Sequence, residues 1–272
     1  MHEMSYTNKR TVMMIDPKIS VVINTYNAEK YLAEVLDSAK GFDEILICDM
    51  ESTDRTCSIA KEYGCKIVTF EKKNHHSAEP ARTFAIQSAS TEWVLVVDAD
   101  ELIPEDLKNY LYKCIKEPDC PAGIYIPRKN YFMGKFMHCH YPDYLLRFFR
   151  REGTVWPPYV HTFPIVQGRL EKIAKDQHHL AFVHLANDGV RDIVRKTNQY
   201  TENEIEKKKK KRYGTMALLH RPLFRFFKTY ILKGGIRDGK EGFIRACLEG
   251  YYQFIMVAKI LENRKGKSSI HK

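Results

Sequence analysis

The chain has 272 residues, a net charge of +10 and 44% hydrophobic residues, which is enough to bury a sizeable core in one α/β domain or in one domain with an appended part. Residues 1–17 contain no continuous apolar run, so we predict a flexible leader rather than a secretory signal. The most apolar stretch, residues 251–261, is too short to span a membrane. The seven cysteines are scattered without CxxC spacing, which favours reduced thiols in the cytoplasm.

Four short β-branched runs alternate with helical segments over the first hundred residues, the pattern of a parallel sheet with crossover helices. The predicted strands are 19–23, 44–48, 66–70 and 93–97, and the predicted helices are 28–40, about 53–63 and 78–89. Asn27 is the expected N-cap of the first helix, and Ser52, Thr53 and Asp54 offer cap oxygens to the second. Pro104 opens a further helix.

The sequence changes character after that helix. Residues 123–163 are rich in aromatics, proline and glycine, and their short apolar runs predict antiparallel strands. A charged helix is predicted at 190–212, followed by two helical stretches with breaks at Pro222 and at Gly234-Gly235. We therefore predict a catalytic domain over 18–188 and a basic helical C-terminal region over 189–272.

The positive charge is concentrated near the C-terminus. Residues 207–272 contain 18 Lys and Arg against 4 Asp and Glu, a net charge of +14, whereas the first 206 residues carry −4. Such asymmetry indicates a polyanionic partner, either phospholipid headgroups or nucleic acid. Aromatic and basic residues alternate over 221–233, which favours an anionic membrane surface. The competing explanation is that these aromatics dock the C-terminal region onto the catalytic domain.

Three predicted strands end in polar residues, and ligands bind beyond the carboxyl ends of parallel strands. The first ends in Asn24-Thr25-Tyr26-Asn27, the second in Asp49 and the fourth in Asp98-Ala99-Asp100-Glu101. Extended chain sends the side chains of Asp98 and Asp100 to the same side, where two carboxylates repel unless a cation satisfies them. Mg²⁺ or Mn²⁺ suits such ligands and completes its shell with substrate phosphate. A solvated acidic turn is the alternative.

The segments ISVVINTYNAEKYL, CDMESTDRT and EWVLVVDADE resemble, in order and spacing, the inverting family-2 glycosyltransferases of the GT-A fold. The segments PDYLLRFFRR, Val160-His161 and FFKTYILKGGIRDGKEGFI are similar to bacterial enzymes that add sugars to the lipopolysaccharide core. This resemblance covers about residues 18–261. It implies a Rossmann-like GT-A sheet with a donor half over 18–103, an acceptor half with antiparallel strands over 104–188, and a C-terminal helical extension.

The same resemblance implies a metal-dependent transfer of a sugar from a nucleotide-diphosphate sugar to a glycan acceptor. The acceptor is expected to be lipid-linked, such as lipopolysaccharide core, and the enzyme to be cytoplasmic and peripheral on the inner face of the cytoplasmic membrane. Residues implied to border the nucleotide-sugar are Asn24, Thr25, Tyr26, Glu29, Asp49, Arg82 and Asp98. Arg147 is a further candidate for the donor phosphates, because a guanidinium binds phosphate bidentately.

The cation, Mg²⁺ or Mn²⁺, is expected at Asp100 and Asp98, with His184 and His161 as further ligands or phosphate contacts. Met50 stands where many relatives of that family have a second acidic residue, so the identity of the nucleobase stays open. Inversion needs a base that deprotonates the acceptor hydroxyl, and Asp143 in HYPDY matches the family position for that role. The alternative for Asp143 is a turn residue after Pro142.

Two other functions are compatible with parts of the sequence. A sugar nucleotidyltransferase also combines an α/β sheet with acidic metal ligands, but it requires a glycine-rich phosphate loop near the first strand, and NTYNAEKYL contains no glycine. A nucleic-acid-binding protein would use the basic C-terminal region. The chain has no helix-turn-helix, zinc or RNP pattern, so nucleic acid is not an expected partner.

Overall fold

The computed structural model describes residues 16–75, 77–159, 162–208 and 213–268. The predicted leader therefore lies almost wholly outside the described residues. Within these ranges, no helix has both the length and the hydropathy that crossing a bilayer requires.

The described chain forms a ten-stranded mixed sheet. The strands are β1 (Ile19–Thr25), β2 (Glu44–Asp49), β3 (Lys66–Thr69), β4 (Trp93–Asp98), β5 (Glu101–Leu102), β6 (Gly123–Phe132), β7 (Lys135–Phe136), β8 (Asp143–Arg150), β9 (Leu170–Lys172) and β10 (Phe182–Asp188). The main path through the sheet is β3-β2-β1-β4-β8-β6-β10-β5, and β7 and β9 both pair with β6.

Strands β1 to β4 are mutually parallel, whereas β8 runs antiparallel to both β4 and β6. The predicted α/β class, with a parallel first part and antiparallel strands after it, is confirmed. Because β8 lies directly beside β4, the parallel strands and the antiparallel strands form one continuous sheet. The groups at the end of β4 therefore lie next to the strands that carry Arg147 and Arg128.

Helices cover both faces of the sheet and build the C-terminal region. They are α1 (Glu29–Ser38), α2 (Thr56–Glu62), α3 (Glu79–Ser88), α4 (Glu105–Cys114), α5 (Val190–Lys208), α6 (Ala217–Phe227) and α7 (Gly239–Ser268). A π-helical turn, Lys228–Leu232, follows α6. The predicted helical C-terminal extension is thus confirmed.

Two local predictions were wrong. Asn27 does not cap α1: it has a positive φ of 49°, and its amide oxygen accepts the backbone N–H of Thr53 at 2.8 Å instead. Pro222 does not break the chain but lies inside α6. There α6 packs closely on α7, since a Cβ on Gly250 would lie 3.1 Å from the Pro222 carbonyl oxygen. Such packing offsets the backbone hydrogen bond that proline cannot donate.

The alternation of side chains along β1 explains the two cores. Val21 and Ile23 pack on the face covered by α1 and α4, and Val22 packs on the face covered by α3. All three are fully buried, and burial of each such side chain contributes about 1.5–3 kcal/mol. Because the parallel strands are covered on both faces, most of their polar residues lie at the strand ends.

The C-terminal region is fastened to the sheet through a buried carboxylate. Asp238, fully buried, accepts hydrogen bonds from the backbone N–H groups of His138 at 2.9 Å and Cys139 at 3.0 Å. It also pairs with His138 Nδ1 at 2.7 Å. These bonds fix the turn before α7 against the loop between β7 and β8.

Candidate active site

The carboxyl ends of β1, β2 and β4 lie side by side. Thr25 is opposite Asp49 in the register of β1 and β2, and Asn24 is opposite Asp98 in the register of β1 and β4. The prediction that three polar strand ends converge is confirmed.

Two predicted donor contacts, Asp49 and Glu29, have structural partners in the loops beyond these strands. Asp49 is buried and accepts hydrogen bonds from Thr25 Oγ1 at 2.8 Å and from the backbone N–H and Oγ of Ser52 at 2.8 and 2.6 Å. Glu29 Oε2 accepts the backbone N–H of Arg55 at 3.0 Å. Both acids therefore shape the loops, and their contact with a nucleotide stays a prediction.

Asn24 and Tyr26 have groups to offer a planar ligand. Neither polar atom of the buried Asn24 amide has a hydrogen-bond partner among the described residues, and such a group costs free energy until a ligand or water satisfies it. Tyr26 is 46% exposed, and Lys72 Nζ lies 4.2 Å from its ring centroid. An exposed ring beside an unsatisfied amide suits a group that stacks and hydrogen-bonds, such as a nucleobase.

Asp98 lies between two arginines. Arg147 binds it bidentately, with Nη1 at 3.1 Å from Oδ1 and Nη2 at 2.5 Å from Oδ2, and Arg82 Nη2 lies 2.8 Å from Oδ1. Burial opposes ionisation of Asp98, yet the charges of Arg147 and Arg82 hold its pKa well below the usual range. Because both oxygens already bind guanidinium groups, this geometry argues against Asp98 as a metal ligand. It gives Arg147 a positioning role beside the strand end.

Arg82 retains unused donors. Its Nε and Nη1 are buried without a hydrogen-bond partner in the described part of the chain, and its guanidinium carbon lies 4.5 Å from the ring centroid of Trp156. An oxygen of a donor phosphate would satisfy these N–H groups. The prediction that Arg82 contacts the donor agrees with this environment.

Asp100 faces an imidazole across the same strand ends. Its Oδ2 lies 3.2 Å from His184 Nε2, and His184 Nδ1 lies 2.9 Å from the amide oxygen of Asn130. The Asn130 amide nitrogen donates to Asp143 Oδ2 at 3.0 Å, which fixes the amide orientation because an ionised carboxylate only accepts. His184 therefore donates from Nδ1, so in the neutral imidazole Nε2 is an acceptor that faces a carboxylate oxygen.

Two acceptors that face each other require a cation, either a proton or a metal ion. A metal-binding histidine usually donates its other ring N–H to an oxygen acceptor, as His184 does to Asn130. Mg²⁺ and Mn²⁺ keep water and phosphate oxygens in their shells, so one carboxylate and one imidazole suffice as protein ligands. The described residues contain no cluster of three or more His, Cys, Asp or Glu that would hold a metal unaided. The pair Asp100 and His184 therefore fits a cation shared with a phosphate-bearing substrate.

Asp143 begins β8, opposite Arg128 in the register with β6. Arg128 Nε and Nη2 lie 3.0 and 2.7 Å from Asp143 Oδ2, and Arg128 Nη1 lies 2.8 Å from Oε1 of the fully buried Glu101. Glu101 Oε2 in turn accepts the backbone N–H of Asp98 at 3.0 Å. Arg128 thus joins the predicted base to the end of β4.

Sequence reasoning missed Arg128, Asn130 and the role of Glu101. A usable signal was present: Arg128 and Asn130 are two apart in β6 and therefore share a face of the strand. Their partners come from β5, β8 and β10, and only the tertiary structure brings these strands together. One predicted ligand, His161, lies outside the described residues together with Val160.

Parallel strands that end in groups suited to a nucleotide, beside a strand that carries a carboxylate, are the arrangement expected of an enzyme that transfers a group from a nucleotide-activated substrate. The chain belongs to glycosyl transferase family 2, whose family model matches residues 20–170. It is therefore a glycosyltransferase, which decides the enzyme class against the nucleotidyltransferase alternative. The sheet and the helical C-terminal part agree with the GT-A architecture that the resemblance implied.

Known relatives include the lipopolysaccharide core biosynthesis glycosyltransferase LpsC of Rhizobium meliloti, 26% identical over 265 residues, which cover 92% of this chain and 94% of LpsC. Among solved structures, the mannosyltransferase PcManGT from Pyrobaculum calidifontis in complex with GDP-Man and Mn²⁺ has a TM-score of 0.49 at 16% identity, over 93% of this chain and 76% of that one. Residues 1-349 of S. aureus TarS in complex with UDP give a TM-score of 0.47 at 16% identity, over 89% and 91% of the two chains.

Proposed function

We propose that the protein transfers a sugar, with inversion at the anomeric carbon, from a nucleotide-diphosphate sugar to a hydroxyl of a lipid-linked glycan. The reaction depends on Mg²⁺ or Mn²⁺ held by Asp100 and His184. The observation that carries the proposal is the chain of polar contacts that runs from Asp100 Oδ2 to His184 Nε2 at 3.2 Å and then, through the hydrogen bonds of His184 Nδ1 and the Asn130 amide, to Asp143. It links the candidate cation ligands directly to the candidate base.

The donor would lie across the strand ends, with its base near Asn24 and Tyr26 and its phosphates near Arg82. When bound, the cation stabilises negative charge on the departing diphosphate. Arg82, Arg128 and Arg147 already balance most of the charge of the nearby carboxylates. The diphosphate gains one more negative charge as it leaves, and it therefore needs additional positive charge at this site.

Asp143 is the proposed general base. All three of the hydrogen bonds that it accepts from the described residues go to Oδ2, which leaves Oδ1 for the acceptor hydroxyl. As the acceptor oxygen attacks the anomeric carbon from the side opposite the diphosphate, its proton passes to Oδ1. The bond between the anomeric carbon and the phosphate oxygen breaks, and the nucleoside diphosphate leaves with that electron pair.

A lipid-linked acceptor is supported by the relative LpsC, named for lipopolysaccharide core biosynthesis, and by an exposed apolar face on the C-terminal region. The membrane face is formed by Leu219, Leu223, Phe224, Phe227, Ile231 and Leu232, all at least half exposed. The partly exposed Lys228 and the exposed Arg237 accompany it. Apolar side chains flanked by cations suit an anionic bilayer, so we infer peripheral binding to the inner face of the cytoplasmic membrane.

The proposal is tested by thermal unfolding with Mn²⁺ and each of UDP, GDP, ADP and CDP. One nucleotide should raise the Tm only when Mn²⁺ is present, because ligands that bind the native state stabilise it. Asp100→Asn should abolish this shift, whereas Asp106→Asn, which replaces an exposed aspartate on α4, should keep it. A shift that needs no metal, or no shift with any nucleotide, would refute the donor site. The anomeric configuration of the product, read by NMR, tests inversion.

A further inference from the structure

The base Asp143 lies in the wall of a cleft of about 410 Å³. One wall is formed by residues 139–143, and the other by Leu232 and Lys233 of the C-terminal region. Under the proposed function, this cleft is where an acceptor would reach Asp143. The C-terminal region therefore contributes directly to the surface that meets the acceptor.

Lys233 gives this cleft an uncompensated positive charge. Within the described ranges, no carboxylate lies within ion-pair distance of its ammonium group. The nearby carboxylates have other partners, since Glu249 pairs with Arg225 and Arg245. His140, on the opposite wall, adds no charge at neutral pH because burial, together with the charge of Arg245, lowers its pKa to about 4.

The backbone holds Lys233 in place through an unusual turn. It follows the π-helical turn Lys228–Leu232, and π-turns are frequent at functional sites. The next residue, Gly234, has a left-handed φ of 75°. A Cβ on Gly235 would lie 2.8 Å from the carbonyl oxygen of Thr229, so this turn is closely packed.

Asp238 ties this turn to the other wall of the cleft. Its carboxylate binds the backbone N–H groups of His138 and Cys139 at 2.9 and 3.0 Å. Lys135 Nζ also donates to the Asp238 carbonyl oxygen at 2.8 Å. These hydrogen bonds hold the backbone of the turn that carries Lys233 against the wall of the cleft that contains the base.

We propose that the acceptor is anionic and that Lys233 binds its phosphate or carboxylate group, which places the reacting hydroxyl at Asp143. The inference rests on the proposed function and adds to it the chemical class of the acceptor. Lys233 acts as a specificity-determining residue that binds substrate away from the reacting atoms.

The test uses the full chain, Mn²⁺, and a nucleotide-sugar donor whose nucleotide raises the Tm in the presence of Mn²⁺. The soluble acceptor probe is deacylated glycan released from lipopolysaccharide. Three forms are compared: untreated glycan, glycan treated with phosphatase, and glycan whose carboxylates are reduced to alcohols. Lys233→Gln should raise the KM for untreated glycan about 10- to 100-fold, the range expected for one charge-assisted hydrogen bond. Lys233→Arg should restore most of the affinity. Lys240→Gln, at a lysine whose side chain is 82% exposed, is the matched control.

Removal of the recognised group from the glycan should raise the KM of the wild-type enzyme as much as Lys233→Gln does. The KM of the Lys233→Gln variant should be the same with and without that group. The treatment that has this effect tells phosphate from carboxylate. Equal losses with every glycan form, or an unchanged KM, would overturn the proposal. So would a loss seen only when phosphatidylglycerol vesicles are added, since that indicates a lipid headgroup contact. Hydrolysis of the donor by the wild-type enzyme without acceptor reports the proposed function separately.

Discussion

Arg128 donates two hydrogen bonds to a single oxygen of Asp143, with Nε at 3.0 Å and Nη2 at 2.7 Å from Oδ2. The Asn130 amide donates a third to the same atom. Burial opposes ionisation of Asp143, but the charge of Arg128 and these hydrogen bonds lower its pKa. The carboxylate is therefore held in one orientation and is ionised at neutral pH.

Asp143→Asn should reduce sugar transfer by about 100- to 10,000-fold, the usual contribution of a positioned base. Binding of nucleotide and Mn²⁺ should persist, because Asp143 is not among the proposed donor contacts. Turnover with labelled nucleotide-sugar and the Tm shift measure the two effects. Asp106→Asn should match the wild type in both. If Asp143→Asn retains turnover, the base is another group.

The pH profile should show the effect of Arg128 on Asp143. Because the pKa of Asp143 is lowered in the folded protein, activity should be complete above the ordinary carboxyl pKa and lost only as the pH falls through the lowered value. Arg128→Gln removes the positive charge while burial remains, so the acidic limb of kcat/KM should move to higher pH. Arg128→Lys, which keeps the charge, should move it less. Coincident acidic limbs in all three proteins would contradict the assignment of Asp143.

Asn130→Ala should weaken Mn²⁺ binding about 10- to 100-fold, as is typical when a histidine ligand loses the group that orients it. The reason is that Asn130 holds the Nδ1 side of His184. Titration of Mn²⁺ in the presence of the nucleotide, followed by electron paramagnetic resonance, gives the affinity. Asn109→Ala, at an exposed position of α4, is the control. Equal Mn²⁺ affinity in the Asn130 variant and wild type would remove His184 from the proposed site.

Asp238→Asn should lower the free energy of unfolding by about 3 kcal/mol, because it leaves buried partners of a charged group unsatisfied. In a chain of this size the Tm should fall by roughly 6–12 °C. Burial raises the pKa of Asp238, but the N–H groups of Cys139 and His138 outweigh it and the net shift is downward. Its stabilisation is therefore present at neutral pH and lost as the pH falls through the lowered pKa.

An exposed carboxylate provides the comparison for this stability effect. Asp192 pairs with Arg195 at 3.3 Å on the surface of α5, and surface pairs contribute only about 0–1 kcal/mol. Asp192→Asn should therefore leave the Tm nearly unchanged. Equal Tm values for the two variants would show that Asp238 does not fasten the C-terminal region.

The double variant Leu223→Ser, Phe227→Ser should weaken binding to phosphatidylglycerol vesicles at least about tenfold, because both side chains are more than half exposed on the membrane face. Vesicle co-sedimentation measures the change. Tyr159→Ser, which removes an exposed aromatic from the catalytic part, should have no effect. Binding by the wild type should also fall as salt rises. Indifference to lipid charge would reject a membrane partner.

Much of the sheet could be predicted from the sequence, because buried parallel strands require continuous apolar runs and the polar residues that end them are visible in the chain. Trp93–Asp98 is the clearest case: five fully or nearly buried positions are followed by an aspartate. Local signals were less reliable where loops contact each other. Asn27 has cap chemistry, yet its oxygen is taken by Thr53.

What the sequence determined by itself was the α/β class, the convergence of three polar strand ends and the family. The tertiary structure decided how the charges there are shared. Asp98 and Asp100 look equivalent in the chain, but Arg82 and Arg147 surround the first while His184 faces the second. These partners come from α3, β8 and β10. The pattern of apolar and polar residues in one segment predicts whether that segment is a helix or a strand, but it does not predict which distant segments will contact it. Which carboxylate is neutralised and which is left for a cation depends on strand order and register.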